Sequence, residues 1–358
     1  MLLKSAMPEP FPYAHFDELE PLRAAGFISA RRHPRHPLVI YNYTIKAVFT
    51  PPVDWTEPMK DCRGLILDTD GNIVARPFRK FWNYSQVLEQ IPVGEPFTVW
   101  EKVDGSLGII AAYAGERIVS TRGSFDSDQA KWLQQWLDRE HNDFMPQGET
   151  WLTEIVYPDN RIVVDYGARE DAILLAVMGA DGVDLPAMFE NSTRFSKARR
   201  FDGISDFSII NTDPRFAGEE GFVVKWQSGL MAKIKADEYS RLHRLVTGCS
   251  TRTIWELLRT GKGIGEIVER VPAEFADWVT KVADGLMAAH AATGAAATAA
   301  VASPEAAGFT TRKDFALWAK TQKNPALLFN LLDGRDITDD CWKLVEPVWF
   351  AFRKDDGE

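Results

Sequence analysis

Between Pro37 and Lys235 the chain alternates short runs of β-branched and aromatic residues with Gly- and Asp-containing breaks, the pattern of strands joined by tight turns. Strands are expected over Leu38–Tyr43, Gly64–Leu67, Ile73–Ala75, Phe97–Lys102, Gly108–Tyr113, Arg117–Ser120, Trp151–Val156, Ile162–Val164, Ile173–Met178, Phe222–Trp226 and Met231–Ile234. The breaks at Asp68-Thr69-Asp70-Gly71, Ala114-Gly115 and Gln227-Ser228-Gly229 carry the residues that hairpin loops need, so neighbouring runs should pair antiparallel. A helix interrupts the series: Ser127–Arg139 puts Ala130, Leu133, Trp136 and Leu137 on one face, with Asp126 or Ser127 as its cap. After about Val246 the strand signals stop, and helical spacing appears in Ile254–Leu258, Phe275–Met287, Phe315–Lys320 and Trp342–Phe352. The stretch Ala288–Ala307 is nearly all Ala, Thr, Gly and Ser; it offers little apolar volume and is expected to fray or act as a tether. The pattern predicts an α+β protein, with an antiparallel-sheet domain over residues 1–246 and an all-helical domain over 247–358.

Composition supports this division. A chain of 358 residues with 45% hydrophobic and 11% aromatic content can bury the cores of two domains. No apolar run approaches the roughly 20 residues that span a bilayer, and the N-terminal region around Met7-Pro8-Glu9-Pro10 lacks an apolar signal segment, so a cytoplasmic protein without a membrane partner is expected. Cys62, Cys249 and Cys341 are odd in number and far apart, which suits neither a disulfide framework nor a zinc site. The formal charge of -10 argues against a protein that coats nucleic acid, because polyanions are bound by displacing counterions with Lys and Arg. Basic residues nevertheless gather at Arg31-Arg32-His33-Pro34-Arg35-His36, at Arg76/Arg79/Lys80, at Arg194/Lys197/Arg199/Arg200 and from Lys233 to Arg244. Local patches on an acidic chain suit an enzyme that holds an RNA end.

The chemistry concentrates in Trp100-Glu101-Lys102-Val103-Asp104-Gly105-Ser106-Leu107, a lysine at a strand end followed by a glycine-containing loop. A lysine acts as a nucleophile only when deprotonated, which requires lowering its pKa by about 3 units, roughly 4 kcal/mol. Nearby cations can supply that shift, and Lys233 and Lys235, two apart on a strand, face one side together. Alone, Lys-x-Asp-Gly is equally the sequence of a surface hairpin. Gly261-Lys262-Gly263-Ile264-Gly265 lacks the leading glycine and the Lys-Ser/Thr pair of a phosphate-binding loop and reads as a helix connection.

Companion motifs remove the ambiguity. In order they are Tyr41-Asn42-Tyr43, Cys62-Arg63-Gly64, Lys80-Phe81-Trp82-Asn83, the Lys102 segment, Thr121-Arg122-Gly123-Ser124, Glu154 through Val164, Glu220-Gly221-Phe222-Val223, and Lys233-Ile234-Lys235 with Tyr239. This series, spanning Leu38 to Leu245, resembles the covalent nucleotidyltransferase superfamily of DNA ligases, RNA ligases and mRNA capping enzymes, and most closely the phage-type RNA ligase 1 family. The resemblance implies an ATP-grasp-like adenylation domain in which Lys102 forms a phosphoramidate with AMP. It assigns Lys233 and Lys235 to the α-phosphate, Arg63 and Lys80 to phosphate or end binding, Glu154 to the ribose, and Glu220 to a hydrated magnesium. Tyr41 and Trp82 fall at aromatic contact positions, and Glu101, Gly105, Val223 and Tyr239 complete the nucleotide-binding set. Arg122 departs from the lysine usual before Gly-Ser; the charge is kept, but reach and geometry change.

The activity so implied is ATP-dependent joining of RNA 5'-phosphate and 3'-hydroxyl ends, with Mg2+ as cofactor or Mn2+ in its place. The expected partner is single-stranded RNA or a broken structured RNA such as tRNA, with a separate polynucleotide kinase/phosphatase preparing the ends. A DNA ligase, a capping-type nucleotidyltransferase and a catalytically silent RNA-binding module on the same fold stay open as alternatives. The helical C-terminus is unlike the oligonucleotide-binding barrel usual in the first two, and joint retention of Lys102, Glu154, Glu220, Lys233 and Lys235 speaks against the third.

Overall fold

The alternation of apolar and polar positions resolves into three sheets in the computed structural model, which describes residues 10–237, 240, 248–268 and 273–351. The chain divides into two units, with the boundary between Ser240 and Arg241. The first sheet has the order β1 (Ile28–Arg32), β2 (Leu38–Tyr43), β3 (Arg63–Asp68), β4 (Ile73–Ala75). In the third sheet β5 (Trp82–Asn83) lies at one edge and β11 (Arg200–Phe201) at the other, enclosing β6 (Phe97–Lys102), β12 (Gly221–Trp226) and β13 (Met231–Lys235) in the order β11-β6-β12-β13-β5. The second sheet, β10-β9-β7-β8, is made of β7 (Ser106–Tyr113), β8 (Glu116–Thr121), β9 (Thr150–Val156) and β10 (Asp171–Met178). Every pairing is antiparallel except β13 with β5.

The first two sheets share one core. Leu38, Ile40, Ile66 and Ala75 pack with Ile109, Ala111, Ile118, Leu152 and Met178, each large side chain contributing roughly 1.5–3 kcal/mol by leaving water. Helix α1 (Phe16–Ala24) covers the outer side of the first sheet through Leu19, which joins Ile28, Leu65 and Leu67. Helix α2 (Asp128–Glu140) covers the second sheet with Ala130, Leu133, Trp136 and Leu137, and Ser127 caps it by accepting the Ala130 N–H at 3.2 Å. The third sheet has a separate core of Val99, Phe222, Val224, Trp226 and Ala232. Between β6 and β7 the chain crosses from the third sheet to the second within Val103, Asp104 and Gly105, so Lys102 stands at the junction of two sheets.

Ile162–Val164 is not a strand. The amides of Val163 and Val164 instead donate to the Asp104 carboxylate at 2.9 and 2.8 Å, which takes the place of a ladder partner.

In the second unit α3 (Thr251–Arg259), α4 (Ala273–Val301), α5 (Arg312–Ala319), α6 (Pro325–Leu332) and α7 (Thr338–Leu344) pack around Ile254, Phe275, Val279, Phe315, Leu327 and Leu328. The alanine-rich stretch does not fray as expected. It continues α4 to Val301, because alanine has the best helix propensity and its small side chain lets neighbouring helices approach, with Ala297 buried beside Leu327 and Leu328. The last helix stops at Leu344 rather than Phe352, short of Pro347, which disfavours helical backbone in the residue before it. Among the described residues no helix is long and apolar enough to cross a membrane.

Candidate active site

Strand register builds the centre of the site. Gly221 on β12 lies opposite Lys102 on β6 and opposite Lys235 on β13, and Val223 lies opposite Trp100 and Lys233. Residues paired in this way share a face, so Lys102, Lys233 and Lys235 rise from the same side of the sheet. Gly221 is obligatory in this row: a Cβ there would sit 2.0 Å from the Ile234 carbonyl oxygen and 2.9 Å from Lys235 Cα. Glu220, at the entrance to β12 and only 2% exposed, places its carboxylate between two ammonium groups. Lys102 Nζ donates to Oε2 at 2.5 Å, and Lys235 Nζ lies 3.2 Å from Oε1.

The turn after Lys102 is fixed by Asp104, which is 3% exposed. Besides accepting from Val163 and Val164, it donates its own N–H to the Tyr166 hydroxyl at 2.9 Å. A buried carboxylate is tolerated only with such partners. Gly105 then packs against β9, where a Cβ would meet the Ile155 carbonyl oxygen at 2.5 Å and Glu154 Cγ at 3.1 Å.

Glu154 is half-buried as a residue, but its carboxyl is shut away from water. That burial, opposed by Lys102 and Arg63 and reinforced by Glu220 and Asp104, raises its pKa to about 8. At neutral pH the group is largely a protonated acid and can donate a hydrogen bond. The carboxyl titrates higher in the folded chain than in the unfolded one, so its contribution to stability is complete below about pH 4.5 and is lost as pH rises through about 8. Relative to the native chain, Glu154→Gln should therefore melt higher at pH 8.5 than at pH 5. Melting curves that keep the same separation at both pH values would contradict the raised pKa.

Three upstream cations form a second group. Gly64 has φ +93°, and a Cβ there would meet Ile109 Cδ1 at 2.4 Å and the Arg122 carbonyl oxygen at 3.3 Å, so the backbone beside Arg63 lies against that of Arg122. Arg122 donates Nη1 to the Tyr43 hydroxyl at 2.9 Å and lies 5.0 Å from the centre of that ring. The Lys80 ammonium faces three rings, Tyr43 at 4.9 Å, Trp55 at 5.6 Å and Trp82 at 6.0 Å. Burial lowers its pKa, Tyr43 opposes the fall, and the charges of Arg63 and Arg122 add to it. Arg63 also stacks over Phe81 at 5.5 Å. Both Lys102 and Arg63 act on the Glu154 carboxyl, which links this cationic group to the Lys102 row.

The structure thus brings together Lys102, Lys233, Lys235, Glu220, Glu154, Gly105 and Val223, and sets Arg63, Lys80, Arg122 and Trp82 beside them. Tyr41 lies elsewhere. It lines a cavity of about 580 Å3 against Phe16, Leu19 and Arg23 of α1. Tyr43 is the residue of that motif that reaches Lys80 and Arg122. The Glu101 side chain alternates away from Lys102 and bonds Arg199 at 2.9 Å. Tyr239 lies outside the described residues. Trp55 carries no sequence signal, and Asp104 and Arg199 stand out only as members of the Lys-x-Asp-Gly segment and of a basic cluster, since their partners are distant in the chain.

The family described as RNA ligase, of the phage T4 RNA ligase 1 type, matches residues 61–239. A putative bifunctional polynucleotide kinase/RNA ligase of Autographa californica nuclear polyhedrosis virus is 27% identical over 254 residues, covering 61% of this chain and 35% of that protein. A putative RNA ligase of Thermovibrio ammonificans is 27% identical over 135 residues, covering 34% of this chain and 35% of that protein. The chain therefore spans about a third of the length of these relatives. Among solved structures, an archaeal ATP-dependent RNA ligase is similar at 15% identity and a TM-score of 0.44, over 75% of each chain. A putative ATP-dependent DNA ligase from Aquifex aeolicus has the same identity and TM-score over 92% of this chain and 97% of that one. The family match covers half of the chain and contains the Lys102, Glu154, Glu220 and Lys235 cluster, and the chain belongs to the RNA ligase family of the phage T4 RNA ligase 1 type.

Proposed function

We propose that the chain is an ATP-dependent RNA ligase working through a lysyl-adenylate on Lys102. The observation that carries the reading is the row Lys102, Gly221, Lys235 with the Glu220 carboxylate held between two ammonium groups. In the first step the deprotonated Lys102 amine attacks the α-phosphorus of ATP; the bond to the β-phosphate breaks and pyrophosphate leaves. An oxygen of the RNA 5'-phosphate then attacks the same phosphorus, restoring Lys102 and forming RNA-adenylate. Finally the 3'-hydroxyl attacks the RNA phosphorus and AMP departs.

Each residue has a task in this sequence. Glu220 holds Lys102 as an ammonium before substrate binds, and that ion pair must part for attack. Lys233 and Lys235 neutralise charge that develops on the α-phosphate. Protonated Glu154 donates to the ribose, and Arg63, Lys80 and Arg122 take the polyphosphate tail or an RNA end. Magnesium fits the donors present. Glu220 offers carboxylate oxygens, the hard ligands that the ion prefers beside water and phosphate oxygens. Bound there, magnesium or manganese supplies charge neutralisation at phosphorus.

Residues 1–246 are the adenylating domain in this reading, and the helical residues 247–358 select the RNA. Of the basic residues in the helical unit, Arg252 pairs with Glu346 at 2.8 Å and Arg259 with Asp339 at 2.6 Å. Selection there rests on shape more than on a free basic face. End preparation falls to a polynucleotide kinase/phosphatase, and repair of broken RNA is the role this division of labour serves. The test is joining of 5'-phosphorylated single-stranded RNA, nicked duplex RNA and nicked DNA with ATP and magnesium. RNA ends should be sealed at least tenfold faster than nicked DNA, roughly 1.4 kcal/mol of discrimination; preferential sealing of DNA would overturn the reading.

A further inference from the structure

We propose that Arg199 is a positioning residue for this reaction, a clasp that sets the nucleophile and its carboxylate partner in register. The inference rests on the reading of Lys102 as nucleophile. Arg199 immediately precedes β11, and its carbonyl accepts the Glu101 N–H at 2.8 Å, which extends the β11–β6 ladder to the residue before Lys102. Its side chain reaches two carboxylates at once. Nε donates to Glu101 Oε2 at 2.9 Å and Nη2 to Glu219 Oε1 at 2.5 Å, while the Arg199 backbone N–H donates to Glu101 Oε2 at 3.2 Å.

Glu101 and Glu219 are the chain neighbours of Lys102 and Glu220. One planar guanidinium therefore ties the end of the strand carrying the nucleophile to the start of the strand carrying its partner. The fork of N–H donors is rigid, so it works as a spacer of fixed length in a way that a flexible ammonium does not. The Arg199 side chain is 54% exposed, whereas those of Glu101 and Glu219 are 11% and 18% exposed. Removing it leaves two partly buried like charges facing one another and lets the ends of β6 and β12 part. An exposed ion pair adds little to global stability. A displacement of about 1 Å at a reacting group, by contrast, can cost on the order of a hundredfold in rate.

The test uses the full chain and measures lysyl-adenylate formation across ATP concentrations, with thermal melting alongside. Arg199→Met should slow the rate at saturating ATP by about tenfold or more, move KM for ATP by less than about threefold, and leave the melting temperature nearly unchanged. Arg199→Lys should recover part of the loss, since an ammonium can satisfy one carboxylate but not span both. Glu219→Gln should cost less in the Arg199→Met background than in the native chain, as expected for partners in one clasp. An unaltered rate in Arg199→Met, fully additive losses, or a fall that tracks collapse of the melting temperature overturns the inference. Absence of any adenylate in the native chain overturns the functional reading and this inference with it.

Discussion

Lys102→Ala should abolish acid-stable labelling of the protein by ATP carrying a label on its α-phosphate. Lys102 is the lysine that ends β6 at the junction of two sheets, with Glu220 at 2.5 Å and the half-buried Glu154 beside the following turn. Lys233 and Lys235 share its face but stand across β12, where their charge can reach the phosphate while Lys102 attacks it. Removing Lys102 also leaves the buried Glu220 carboxylate with one ammonium fewer, an expected cost of about 1–3 kcal/mol, so melting must be measured beside labelling. A folded variant should still join pre-adenylated RNA to a 3'-hydroxyl, because that substrate enters after the lysine has done its work. Full labelling of the variant would place the nucleophile elsewhere.

The second large effect is expected at the lysines across the row. Lys235→Ala removes the cation 3.2 Å from Glu220 Oε1, which frees that carboxylate to hold Lys102 more firmly in its ammonium form. The same change removes a preorganised charge from the α-phosphate. Losing such a contact is worth at least about 1.4 kcal/mol in the transition state, so adenylation at neutral pH should fall more than tenfold. Lys233→Ala should lower adenylation by a similar factor through the phosphate effect. Normal adenylation in both variants would show that neither the electrostatic nor the pKa-lowering role belongs to this pair.

What the sequence discloses is what local pattern controls. The hairpins β7–β8 and β12–β13 and the buried face of α2 follow from alternation and helical spacing over a few residues, and they appear where those patterns place them. Register then carries Lys102, Lys233 and Lys235 to one face without further information. Distant partners are not legible in this way. Asp104 withdraws Val163 and Val164 from any ladder, and Tyr41 lies against α1 while Tyr43 meets Lys80. Trp55 and Arg199 acquire their meaning only when segments far apart in the chain meet, as when the Arg199 fork reaches Glu101 and Glu219.

The central claim is tested most directly by incubating the chain with ATP and magnesium, measuring its intact mass, and mapping the modified peptide, with GTP and NAD in parallel. The account predicts one AMP per chain, formed from ATP and located on Lys102. An unmodified chain, an adduct on another residue, or a nucleotidyl adduct formed from GTP or NAD in preference to ATP would contradict it.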